Sequence, residues 1–289
     1  MKAGDDMMKV GFIGAGKVGS SLSHYFFQNN ISIAGFYSRT QSHGCEAARQ
    51  CSSISVSSID QLVTQSDVLF LTVPDDTIQT VWKQLKQFPI KGKYICHCSG
   101  SLTSNILSGI KETEAFGYSI HPIFPFQNKT TAYEALAQAI FTIEGDTTHQ
   151  EPLLELLHSC PNRFIPIHTE HKVKYHAAAV FASNLVVSLF HQAFCMLVEC
   201  GFQEEEARMA LQPLAFSNLH NIFLEGPEKS LTGPVERHDL DTVKKHLGAL
   251  SPDSREIYIA LTKDLVSIAQ NRHPQRSYAD FKTVLEETS

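Results

Sequence analysis

Short apolar blocks alternate with amphipathic ones along the first half of the chain, a pattern that predicts parallel βαβ structure. Lys9 to Ile13 reads as a strand and Val18 to Gln28 as a helix. Ile31 to Tyr37 is the second strand, with a helix over Ser42 to Gln50. A short third strand is expected near Ser53 to Val56, then a helix over Ile59 to Gln65. Asp67 to Val73 is almost continuously apolar, as a strand buried on both faces should be. Asp76 to Gln87 reads as helix, Tyr94 to Cys98 as the fifth strand and Leu102 to Ile110 as another helix. Two further strands are expected at Glu114 to Ile120 and Ala139 to Ile143.

The pattern changes near residues 160 to 167. His168 to Cys200 reads as one long helix, followed by helices over Gln203 to Leu224, Asp239 to Leu247, Pro252 to Ala269 and Ser277 to Glu287. The expected fold class is α/β. An N-terminal Rossmann doubly wound parallel sheet over residues 1–165 precedes an all-α domain over 166–289 for substrate binding and dimerisation.

Composition narrows the function classes. The 289 residues are 43% hydrophobic and 19% charged, enough apolar material for a packed core. The net charge of -6 carries no basic stripe, so no nucleic-acid partner is expected. The seven cysteines have no zinc spacing and read as reduced thiols of a cytoplasmic protein; no metal is expected. Met1 to Asp6 holds no apolar signal-peptide core. Ala177 to Cys200 is long and apolar enough to span a bilayer, but Asn184, Ser188, His191, Gln192 and Glu199 are costly in lipid. It reads instead as a buried helix, with no membrane partner, and its greasiness predicts a homodimer.

The chemistry starts at Gly14-Ala15-Gly16-Lys17-Val18-Gly19, between the first strand and the first helix. That context makes the pattern a dinucleotide site. Gly14 permits the turn, Gly16 lets the backbone approach a pyrophosphate and Gly19 packs helix against strand, leaving the N–H groups around Lys17 and Val18 for the anion. An NAD enzyme usually ends its second strand with an acid; here the strand runs into Ser38, Arg39 and Thr40. Arg39 can pair with a 2′-phosphate, so NADP is the expected cofactor. Val73, Pro74 and Asp75 lie at another strand end facing the same crevice, where ligands of open α/β sheets bind.

The segments Gly11-Phe12-Ile13-Gly14-Ala15-Gly16, Thr72-Val73-Pro74-Asp75-Asp76, His97-Cys98-Ser99-Gly100-Ser101 and Ser119-Ile120-His121-Pro122 resemble the β-hydroxyacid dehydrogenase superfamily, which includes 6-phosphogluconate dehydrogenase, ketopantoate reductase, pyrroline-5-carboxylate reductase and prephenate dehydrogenase. Tyr175 to Asn184, Leu231 to Arg237, Asp239, Thr242 and Val243 resemble bacterial Rossmann-like reductases with a C-terminal domain of unknown function. That family reads Arg-Gly-Asp where this chain has Arg237-His238-Asp239, which implies a loop that needs no glycine-only backbone angle.

The resemblance implies a small 2-oxo, imino or hydroxy acid substrate, with a ketopantoate-type reductase as the leading reading and pyrroline-5-carboxylate-like or prephenate-like substrates as rivals. Ketopantoate reductases place a lysine and an asparagine on the first long helix of the second domain. The alignment puts His176 at the lysine position and Asn184 at the asparagine, with Lys172, one turn earlier, as the alternative lysine. On an unbroken helix His176 and Asn184 stand ~12 Å apart along the axis. His121 resembles the His-Pro pair of prephenate dehydrogenases, whose histidine handles the substrate hydroxyl. The candidate catalytic set is therefore His121, His176, Lys172, Asn184 and Ser99, the last able to bond substrate or nicotinamide or to cap a helix. Arg237 either clamps a substrate carboxylate or pairs with Asp239, which also suits a helix cap. A protein that binds NADPH without catalysis is the alternative from another class.

Overall fold

The computed structural model describes residues 8–126 and 132–288. Met1 to Asp6 lies outside the described residues. The chain divides into two compact units, residues 1–183 and 184–289.

Seven strands build the sheet of the first unit: β1 (Val10–Ile13), β2 (Ile33–Tyr37), β3 (Val68–Leu71), β4 (Tyr94–His97), β5 (Phe116–Pro122), β6 (Phe141–Gly145) and β7 (Phe164–Pro166). Their order is β2-β1-β3-β4-β5-β6-β7. All neighbours run parallel except β5 and β6, which pair antiparallel with Ser119 opposite Glu144 and His121 opposite Thr142. The helices of this unit are α1 (Lys17–Gln28), α2 (Gln41–Gln50), α3 (Ile59–Gln65), α4 (Asp75–Leu85), α5 (Ala132–Ala135), α6 (Glu151–Leu157) and α7 (Lys172–Phe181).

Alternation sends successive strand residues to opposite faces. Val10, Phe12, Val68 and Phe70 join one core with Phe26 of α1 and Phe36. Ile13, Leu69 and Leu71 join the other with Leu62 of α3 and Trp82 of α4. Both faces of β1 and β3 are therefore covered, which is why these strands read as continuous apolar runs. Phe12 stacks on Phe36 and on Phe70, each at 5.5 Å between ring centroids.

Several expectations need correction. The strand expected at Ser53 to Val56 reduces to a single parallel bridge between Phe36 and Ser55. The helix expected over Leu102 to Ile110 is only a 3₁₀ turn at Ser104–Ile106, whose first N–H and hydroxyl, on Ser104, both donate to Glu144. The sheet is parallel as expected but for β6, which no full helical crossover precedes among the described residues; an antiparallel strand requires none. The apolar pattern does not predict α6 or β7.

The second unit holds α8 (Asn184–Glu199), α9 (Glu204–Glu225), α10 (Pro227–Ser230), α11 (Leu240–Ala249), α12 (Pro252–Arg272) and α13 (Ala279–Glu287). Val243, Leu247, Ile259, Val266, Phe281 and Leu285 form its core. Asp239 caps α11, its carboxylate accepting from the Thr242 N–H at 3.0 Å and the Thr242 hydroxyl at 2.7 Å.

The long helix expected from His168 to Cys200 is two helices. α7 ends at Phe181, where Ser183 donates its hydroxyl back to the Ala179 carbonyl at 2.6 Å and its N–H to the Val180 carbonyl. Nor is the apolar stretch buried by its own chain: no residue of α8 is buried, and Phe181, Val187, Met209 and Phe223 are all exposed. Thr169–Glu199 is long and apolar enough by length and composition to cross a membrane. The loop of Arg237-His238-Asp239 also departs from expectation. His238 adopts φ 60°, the left-handed region that favours glycine. Its ring offsets that cost by hydrogen bonding the Ser277 carbonyl at 2.8 Å and packing on Tyr278 and Phe281.

Candidate functional site

The chain leaves β1 at Ile13 and turns at Gly14, whose φ of 108° suits glycine alone. Gly14 donates to the Tyr37 carbonyl at 2.8 Å and accepts from the Thr72 hydroxyl at 2.8 Å, which ties β1, β2 and β3 together at their carboxyl ends. A Cβ on Gly14 would stand 2.6 Å from the Thr72 carbonyl oxygen, and one on Gly19 2.4 Å from the Gly14 oxygen. A Cβ on Gly16 would meet nothing within 4 Å. Gly14 and Gly19 are thus fixed by the fold, whereas Gly16 faces open space.

Gly16 is the N-cap of α1, without a side-chain cap and without an acid in the first turn. The N–H groups of Lys17, Val18 and Gly19 have no carbonyl of their own helix to meet, and the helix dipole adds positive potential there. The cleft beside this loop holds about 480 Å³ and is lined by Gly14, Gly16, Ser38, Arg39, Thr40, Val73 and Pro74 among others. Arg39 and His43 line it and no carboxylate does. Bare backbone amides, an open glycine and an acid-free rim with a guanidinium fit a phosphorylated dinucleotide.

A second group of polar side chains lies at the ends of β4 and β5, under α7. Lys172, fully buried, donates to the Ser119 hydroxyl at 2.8 Å, and Ser119 donates to the Ser99 carbonyl at 3.2 Å. His97 is buried beside them: its Nδ1 accepts from the Ser99 N–H at 3.3 Å, so the proton is on Nε2, which donates to the Thr103 carbonyl at 3.1 Å. One residue pair further along, His121 Nδ1 and the Tyr175 hydroxyl are 2.6 Å apart. The His121 and His176 rings are edge to face at 6.2 Å. Gly100 makes room for both, since a Cβ there would lie 2.5 Å from His176 Nδ1 and 2.9 Å from His121 Nε2.

Burial and charge act together here. Burial lowers the Lys172 ammonium to about 8, the carboxylates of Glu144 and Asp75 opposing the shift. Burial, with Lys172 a smaller cause, lowers His121 to about 4; burial likewise lowers His97 to about 4. Both imidazoles are neutral at physiological pH. Glu144 accepts from the Ser104 N–H at 2.7 Å and from the Ser104 and Thr169 hydroxyls at 2.9 and 2.8 Å. It also lines a separate, larger cleft of about 590 Å³ with Asp146 and Glu112.

Two domain families match the chain: a Rossmann-like domain over residues 3–122 and a domain of unknown function, DUF2520, over residues 139–265. No curated protein matches the chain. Among solved structures, protein TM1727 from Thermotoga maritima is 27% identical, with a TM-score of 0.73, over 91% of this chain and 98% of that one. A candidate NADP oxidoreductase from Bacteroides fragilis is 19% identical, with a TM-score of 0.71, over 90% and 98%. The NADP-bound pyrroline carboxylate reductase of Plasmodium falciparum is 15% identical, with a TM-score of 0.54, over 98% of each chain.

The residues expected to bind cofactor fall in two places. Gly14, Gly16, Ser38, Arg39, Thr40, Val73 and Pro74 line the one cleft, with Lys17, Val18 and Gly19 at its helix terminus. Asp75 turns to the second group, accepting from Ser99 at 2.6 Å and Ser101 at 3.2 Å. Of the catalytic candidates, Ser99, His121, Lys172 and His176 come together around Gly100 and Ser119. The Ser99 hydroxyl donates to Asp75 and accepts from the Leu102 N–H at 3.0 Å. Asn184 begins α8, beyond the break after α7, so the ~12 Å spacing from His176 along one helix does not apply.

Sequence reasoning did not single out His43, His97, Ser119, Tyr175 or Glu144. Ser119 and Tyr175 sit inside segments that carry the family resemblance, which was a usable signal. Glu144 offered a different one, a carboxylate closing an apolar strand that must find donors if buried.

Proposed function

We propose that this chain is a soluble, cytoplasmic, NADPH-dependent oxidoreductase that reduces a small 2-oxo or imino acid, a ketopantoate-type reductase being the leading reading. The observation that carries it is the open face of Gly16 beside an acid-free cleft rimmed by Arg39. The amides of Lys17, Val18 and Gly19 hold the pyrophosphate, and Ser38, Arg39 and Thr40 take the 2′-phosphate. Val73, Pro74 and Asp75 border the path to the other end. When bound, the nicotinamide supplies the reducing equivalent.

The chain's own residues supply the setting. His121, neutral and partly buried, donates a hydrogen bond to the substrate's oxo or imino group. Burial keeps His97 and His121 neutral, and Lys172, walled off behind Ser119, adds to that through its field. His176 and Ser99 complete the wall, and Asn184 is retained as a substrate-binding candidate. Residues 1–165 serve the cofactor and 166–289 the substrate and a homodimer contact, for which the exposed apolar residues of α8 and α9 provide the surface.

The burial of Lys172 favours one rival, a catalytically silent NADPH-binding sensor or scaffold. Mixing the protein with NADPH and a panel of 2-oxo and cyclic imino acids, or with NADP+ and prephenate-like hydroxy acids, and following reduced-nicotinamide absorbance, separates the readings. Oxidation by an oxo or imino acid supports the reductase; tight NADPH binding with no oxidation supports the sensor. Absence of NADPH binding at millimolar concentration ends both.

A further inference from the structure

Two contacts join α7 to β5 in matching register. Ser119 and His121 are two residues apart on one strand face, and Lys172 and Tyr175 are three apart on one helix face. Lys172 meets Ser119, and Tyr175 meets His121 with the hydroxyl 2.6 Å from Nδ1 and the rings edge to face at 5.7 Å. The other ring nitrogen of His121, Nε2, faces Gly100, where a Cβ would come within 2.9 Å of it. His176 Nδ1 approaches the same point and is buried without a hydrogen-bond partner among the described residues.

His121 is neutral, so it carries one ring proton. Which nitrogen holds that proton decides whether the ring offers a donor or an acceptor beside Gly100. Burial raises the Tyr175 phenol, a side-chain hydrogen bond with Thr142 opposing the shift, and the Thr142 hydroxyl itself donates to the His121 carbonyl at 3.4 Å. A phenol O–H is a stronger donor than an imidazole N–H, and a bare ring nitrogen a stronger acceptor than a phenol oxygen, so the 2.6 Å contact directs the Tyr175 hydrogen at Nδ1.

We propose that Tyr175 is a positioning residue that fixes His121 as its Nε2–H tautomer, so that a hydrogen-bond donor faces the substrate's oxo or imino group beside Gly100. The substrate half of this statement rests on the reductase reading; the tautomer does not.

Long-range ¹⁵N–¹H correlation spectra of the histidine-labelled full chain test it, with the His121 signals identified by their loss in His121→Asn. The wild type is expected to show Nδ1 unprotonated and Nε2 protonated. Tyr175→Phe is expected to shift His121 toward a mixture of tautomers. A protonated Nδ1 in the wild type, or an unchanged tautomer in Tyr175→Phe, overturns the proposal. The wild-type spectrum decides the matter even if Tyr175→Phe does not fold. With a substrate that oxidises NADPH, Tyr175→Phe should lower kcat about tenfold or more with the KM for NADPH unchanged. If no oxo or imino acid is reduced, the reductase reading fails by itself, and the tautomer result still stands or falls on the spectra.

Discussion

The Lys172 ammonium donates to the Ser119 hydroxyl across 2.8 Å, although 53 residues separate the two in the chain. This contact brings the start of α7 onto the end of β5 and puts a cation, fully buried, behind two neutral imidazoles. The consequences can be measured.

Burial holds Lys172 near 8, below its ordinary 10.5. Below pH 8 the folded and unfolded states bind this proton equally, and the folded state bears the cost of a buried charge. Between about 8 and 10.5 the unfolded state holds the proton and the folded state has lost it, so this group's contribution to stability rises with pH. Relative to Lys172→Met, the wild type should gain about 1–3 kcal/mol between pH 7 and 10 in denaturant unfolding. A difference that stays constant over that range would falsify the assignment of a depressed pKa.

His97 behaves in the opposite part of the pH scale. Its folded value near 4 lies below the ordinary 6.5, so acid is taken up first by the unfolded state as pH falls from 6.5 toward 4. Stability should drop by about 2–3 kcal/mol on its account over that interval. His97→Gln should flatten this part of the stability profile. An identical acid slope in the variant refutes the prediction.

The three glycines of the loop should separate by role. Gly16→Ala is expected to leave thermal stability unchanged, because its φ is -79° and nothing stands near the added Cβ, while weakening NADPH binding about tenfold or more. Gly14→Ala forces a Cβ toward the Thr72 carbonyl at φ 108° and should cost about 2–4 kcal/mol in unfolding free energy. Equal loss of stability in both variants would remove the distinction.

Arg39 tests the choice of cofactor. Arg39→Glu puts a carboxylate on the acid-free rim and should shift the ratio of NADPH to NADH affinity by about 10- to 100-fold toward NADH. Titration of both nucleotides by calorimetry checks this, and an unaltered ratio counts against a 2′-phosphate at this position.

At His238 the backbone cost and the ring contacts can be separated. His238→Ala keeps φ 60° and loses the bond to Ser277, whereas His238→Gly loses the ring but relieves the backbone. The glycine variant should be more stable than the alanine variant by about 1 kcal/mol in thermal or denaturant unfolding. Alanine at least as stable as glycine would mean that the angle is not strained.

The cofactor cleft was legible because its signal is local. Gly14, Gly16 and Gly19 stand within six residues between a strand and a helix, and Arg39 follows closely on a strand whose end the pattern marks. The polar group under α7 was legible only in part. His121 and Lys172 stood out by resemblance, but Tyr175 and Ser119 owe their place to a contact between a helix and a strand that no short window contains. Glu144 was obscured for a related reason: its strand runs antiparallel, a pairing the alternating pattern does not encode.

The sequence by itself determined the alternation of strands and helices, the glycine turn and the change to an all-helical second half, because each follows from periodicity and local backbone sterics. Tertiary structure alone decided which nitrogen and oxygen atoms meet across β4, β5, β6 and α7. It also decided that Lys172 is buried, that His97 and His121 stay neutral and that the helix breaks after Phe181. Those outcomes depend on desolvation and on hydrogen bonds between residues dozens of positions apart, and both arise only once the chain has packed.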